Sequence, residues 1–94
     1  MTPTQLLALR LAAANDRRGG LLKSGASWRA EGDDRQFSTS VVNRLLDRNL
    51  MRLWGINTDC PYAAITTDGI EALNREGFHA DGSPHESQWK ETAQ

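Results

Sequence analysis

Ninety-four residues make one domain's worth of chain, and 38% hydrophobic with 24% charged residues fits a globular protein, not a disordered one. No apolar run approaches the roughly 18 residues a transmembrane helix needs, and no basic segment leads into an apolar core as a secretory signal would, so a cytoplasmic, membrane-free protein is expected. The net charge of −1 hides a gradient: residues 1–30 set Arg10, Arg17, Arg18, Lys23 and Arg29 against Asp16 alone, whereas residues 55–94 set seven acids against Arg75 and Lys90. An anionic partner would therefore meet the first half of the chain.

The chain opens on Thr2-Pro3-Thr4-Gln5, a capping box with threonine as N-cap, proline at the first helical position and glutamine at the third. Leu6, Leu9 and Ala13, flanked by Leu7 and Leu11, then predict a helix through about Ala14 that Gly19-Gly20 ends. Residues 19–37 stay open. Leu21-Leu22 suits a short helix or turn, Ser27-Trp28-Arg29-Ala30 suits a strand, and Gly32-Asp33-Asp34 reads as a turn.

Ser38-Thr39-Ser40 supplies N-cap candidates for a second helix. Val41, Val42, Leu45 and Leu46 form its apolar stripe, and Asn43, Arg44, Asp47 and Arg48 fall on the polar side. Asn49 tolerates the left-handed conformation that often closes a helix. Leu50–Trp54 and Tyr62–Thr66 predict a hairpin across a loop at Gly55–Pro61. Thr67 is the expected cap of a third helix, with Asp68 and Glu71 near its positive end and Ile70, Leu73 and Asn74 or Gly77 on its buried side. Ser83-Pro84-His85-Glu86 is a further capping box, compatible with a short last helix carrying Trp89 or with a frayed tail. One domain over residues 1–78 and a polar tail over 79–94 follow from this order.

Two segments taken together resemble the winged helix-turn-helix family. Ser40-Val41-Val42-Asn43-Arg44-Leu45-Leu46-Asp47-Arg48-Asn49-Leu50-Met51-Arg52 is similar to the family's recognition helix running into the first wing strand. Ile65-Thr66-Thr67-Asp68-Gly69-Ile70-Glu71-Ala72-Leu73 is similar to the second wing strand passing into the closing helix. The resemblance implies an α+β fold of about three helices with a two- or three-stranded β-hairpin wing. It further implies a transcriptional regulator whose helix over 38–48 enters the major groove of double-stranded DNA. By position, Ser38, Thr39, Ser40, Asn43, Arg44, Asp47 and Arg48 would face the duplex. Arginine can pair bidentately with guanine and asparagine with adenine, and hydroxyls and N–H groups at a helix start can hold a phosphate. Arg17, Arg18, Lys23 and Arg29 would add sequence-independent attraction. A homodimer is expected, because one module of this size reads a half-site.

Several residues depart from that pattern. The family's second helix would fall in 19–37, where no amphipathic helix is evident, and the wing tip Asn57-Thr58-Asp59 carries no cation. The pI of about 6.1 is low for an electrostatic DNA binder. An alternative is a protein-binding winged helix, an adaptor or inhibitor such as a phage-encoded anti-CRISPR-type protein, engaging a basic groove through its acidic half.

Trp28, Trp54 and Tyr62 are expected to pack in the core or the hairpin rather than to stack on bases. Cys60 is the only cysteine, which excludes an intramolecular disulfide and, with two histidines late in the chain, leaves too few ligands for a metal. Gly19-Gly20-Leu21-Leu22-Lys23-Ser24 lacks the glycine a phosphate loop needs before its lysine. No nucleophile is spaced against a base, so neither an enzyme nor a cofactor is expected.

Overall fold

The computed structural model describes residues 1–84. In chain order they form helix α1 (Pro3–Ala14), a 3₁₀ turn over Asp16–Arg18, strands β1 (Leu21–Ser24), β2 (Ser27–Ala30) and β3 (Phe37–Ser38), helix α2 (Thr39–Asp47), strands β4 (Met51–Trp54) and β5 (Tyr62–Ile65), and helix α3 (Thr67–Arg75). The class is α+β: three α-helices and a five-stranded antiparallel sheet ordered β3-β2-β1-β5-β4. The sheet is larger than the two- or three-stranded wing expected from sequence.

The helix starts are chemical. Thr2 accepts from the Gln5 backbone N–H at 3.1 Å while the Gln5 side chain accepts from the Thr2 N–H at 3.3 Å, so both halves of the capping box form. Ser38 caps α2 by accepting from the Val41 N–H. Asn49 takes φ 61°, the left-handed residue that turns α2 into β4.

The cap of α3 is Thr66, one residue before the expected Thr67. Its hydroxyl accepts from the Gly69 N–H at 3.1 Å and donates to the Asn49 carbonyl at 2.6 Å, so it fastens the end of α2 as well. The buried side of α3 consists of Gly69, Ala72 and the expected Leu73, and Ile70 is exposed where a buried residue was expected. Gly69 is required there, because a Cβ would run into the Leu50 carbonyl oxygen.

The open stretch 19–37 becomes a β-hairpin and a short third strand. Gly20, with φ 83°, lies so close to the Ala63 carbonyl that no Cβ would fit, and this lets Leu21 pair with Ala63 and Leu22 with Tyr62. β1 thereby joins the hairpin before α2 to the hairpin after it.

One sheet face takes the three helices. Leu21, Trp28, Ala30, Phe37, Met51 and Ala63 point that way and meet Leu9, Ala12, Val42, Leu45 and Leu73 in one core. α1 contributes Ala8 and Ala12 to that core as well as Leu9 and Ala13, while Leu6, Leu7 and Leu11 are half-buried. The indole N–H of Trp28 is buried without a hydrogen-bond partner among the described residues.

Past α3 the chain folds back. Phe78 bridges to Pro84, and the Arg10 Nε donates to the Gly82 carbonyl at 3.0 Å with its guanidinium 4.3 Å from the Phe78 ring centroid. Residues 79–84 thus lie against α1. The short helix expected around Trp89 lies outside the described residues.

Candidate nucleic-acid interface

α2 presents its polar side as expected: Ser40, Asn43, Arg44 and Asp47 are exposed, and Arg48 follows at the exposed C-cap. Its apolar side is held by Val42 and Leu45 in the core, with Val41 and Leu46 at the margin. The start of the helix is pinned twice. Ser38 pairs across the sheet with Ser27, and the Thr39 hydroxyl donates to the Ala26 carbonyl at 3.2 Å. The β1–β2 tip, with exposed Lys23 and Ser24, therefore stands beside Ser38, Thr39 and Ser40.

Arg44 lines a depression with Ser40 and Val41 and with Thr2, Thr4 and Gln5 at the N-terminal end of α1. The cations outside α2 and the β1–β2 tip do not join them. Arg17 and Arg18 line another depression at the far end of α1, with Ile70 and Asp81. Twelve helical residues separate those ends by about 18 Å. Arg29 points away from the helices, since its partner Leu22 and the next residue across, Tyr62, lie on the opposite sheet face from Leu21 and Ala63. Arg10 is engaged with Gly82 and Phe78. Of the eleven residues expected to meet DNA, Ser38, Thr39, Ser40, Asn43, Arg44, Asp47 and Arg48 share one helix, Lys23 stands at its start, and Arg17, Arg18 and Arg29 lie elsewhere.

The residues that sequence reasoning passed over lie on the uncovered sheet face. Trp54 is 46% exposed, against the expectation that it would pack in the hairpin. It pairs with half-buried Tyr62, and Arg52 reaches back to within 5.8 Å of its ring centroid. The signal was present in the alternation of Met51-Arg52-Leu53-Trp54. Met51 and Leu53 face the core, so a strict period of two puts Trp54 on the arginine's side.

Among the described residues no group of three or more histidine, cysteine or acidic side chains is placed to hold a metal, and Cys60 is an exposed thiol. No helix among them is long and apolar enough to cross a membrane. Asp81 has its carboxyl held below the ordinary aspartate range by the hydrogen bond from the Ser83 hydroxyl at 2.6 Å and by the Ser83 backbone N–H at 2.9 Å. No family model, curated protein or solved structure matches this chain.

Proposed function

We propose that this chain is a small winged-helix protein that binds double-stranded DNA through α2, as a homodimeric transcriptional regulator. The observation that carries the reading is the exposed row Ser40, Asn43, Arg44 and Asp47 on a helix fixed at its start by Ser38 and Thr39. That helix runs directly into the β4–β5 hairpin, the order of recognition helix and wing. The adjacency of β1, β5 and β4 in the sheet supports a three-stranded wing. The β1–β2 hairpin occupies the stretch 19–37 in which the resemblance calls for a second helix, and the Thr39–Ala26 hydrogen bond ties it to the start of α2.

A protein-binding adaptor or inhibitor on the same scaffold is the second reading. It is favoured by the scatter of Arg17, Arg18 and Arg29 away from α2, which leaves Lys23, Arg44 and Arg48 to offset Asp47 there. Few phosphate contacts give a shallow salt dependence.

Labelled generic duplex DNA titrated at 50 and 200 mM salt separates the two. Binding that weakens with salt, with the salt slope reduced by about 1–2 in an Arg44→Ala/Arg48→Ala variant, supports the duplex reading. Absence of binding at 50 mM overturns it and leaves the protein partner.

A further inference from the structure

We propose that the uncovered face of the sheet is a second nucleic-acid site, one that takes single-stranded DNA or RNA by stacking its bases on Trp54 and Tyr62. The site lies on the opposite side of the sheet from α2 and does not depend on α2 meeting a duplex.

Strand register builds the surface. Trp54, Tyr62, Leu22 and Arg29 are successive cross-strand partners on β4, β5, β1 and β2, so they form one row across the sheet. At strand spacings near 4.8 Å, that row is about 14 Å long. Arg52 and Ala64 form the start of a second row beside it. All three helices pack against the other face; on this one Arg29, Arg52 and Trp54 are exposed, while Leu22 and Tyr62 are half-buried, with Gly19 and Gly55 beside the Tyr62 ring.

The chemistry of the row selects its occupant. The outward strand positions carry Arg29 and Arg52 and no acid, although the chain as a whole is net negative. Acids return only past the strand ends, at Glu31, Asp33 and Asp59 in loops and at Asp68 in α3. The row sets two adjacent rings, Trp54 and Tyr62, between the guanidinium of Arg52 beside Trp54 and that of Arg29 beyond Leu22. Aromatic rings give bases a stacking partner of any sequence, and arginines beside them neutralise the connecting phosphates. Duplex DNA keeps its bases stacked inside and cannot use the rings in this way. The Arg52 guanidinium over the Trp54 ring also orients the indole. A depression of about 390 Å³ adjoins the ring at the β4 edge, lined by Asn49, Arg52, Trp54 and Asp68 among others. There the Asn49 amide donates to Asp68 at 2.9 Å, a polar wall beside a stacked base.

The test uses the full chain and fluorescence anisotropy of labelled oligothymidylate, an abasic oligonucleotide of equal length and a duplex. Trp54 is exposed, so Trp54→Ala keeps the fold, which circular dichroism checks. We expect oligothymidylate to bind more tightly than the abasic strand. Trp54→Ala weakens oligothymidylate binding at least about fivefold, and Arg52→Ala lowers its salt slope by about 0.7. Arg44→Ala/Arg48→Ala leaves single-strand binding unchanged while it lowers any duplex binding. Equal affinity for the abasic strand, an unaffected Trp54→Ala, or no single-strand binding at 50 mM salt each overturns the proposal. So does loss of single-strand binding in the α2 variant, which would move the site to that helix. Failure of the duplex alone touches only the α2 reading.

Discussion

Among the described residues, the hairpins β1–β2 and β4–β5 are each built from two four-residue strands and each carry a tryptophan, and they use it in opposite ways. In β1–β2, Trp28 is 4% exposed, facing Lys23 and Phe37 on the helix side of the sheet. In β4–β5, Trp54 is 46% exposed, facing Tyr62 on the other side. Strand length and pairing are alike, so the difference is one of parity: a shift of one residue along a strand exchanges core for solvent. The β1–β2 tryptophan closes the core beneath α2, and the β4–β5 tryptophan is left for a ligand.

Substitution of the two tryptophans breaks the comparison most directly. Trp28→Ala should lower unfolding stability by about 3–5 kcal/mol, whereas Trp54→Ala should cost less than about 1 kcal/mol, since it removes a side chain from a surface. Urea unfolding followed by circular dichroism measures both, and similar costs would mean that the two hairpins are not differently built. Gly20→Ala tests the junction between them. With a positive φ and the Ala63 carbonyl in the path of a Cβ, it should cost about 2–4 kcal/mol. A cost below about 1 kcal/mol would show that β1 and β5 can part without consequence.

The smallest effect lies outside both hairpins, in the turn that folds residues 79–84 onto α1. The folded Asp81 carboxyl titrates below the ordinary value of about 3.9 because Ser83 hydrogen-bonds its charged form. Its contribution is therefore present above the unfolded pKa and lost as pH falls through the folded one. Ser83→Ala should move the Asp81 titration, read by carboxyl NMR, back upward while the Trp28 and Trp54 signals stay put. An unmoved midpoint would mean that Ser83 is not the cause.

Local chemistry was legible where it acts over a few residues. The Thr2 capping box, the Ser38 cap, the left-handed Asn49 and the polar face of α2 each depend on neighbours within one or two turns. The one-residue error at α3 shows the limit. Thr66 and Thr67 are equally good caps in isolation, and Thr66 prevails because its hydroxyl also reaches the Asn49 carbonyl seventeen positions away. The candidate site divides likewise. The helix face was readable from its period, but the dispersal of Arg17, Arg18 and Arg29 depends on where α1 and the sheet lie.

The sequence by itself thus determined three helices, the caps of the first two, the β4–β5 hairpin and the polar row of α2, since propensity and capping are short-range. The tertiary structure alone decided that Leu21-Leu22 begins a central strand rather than a short helix or turn, because pairing of Leu21 with Ala63 satisfies backbone groups that nothing nearby could. It also decided that three helices share one sheet face, which leaves Trp54, Tyr62, Arg52 and Arg29 together on the other.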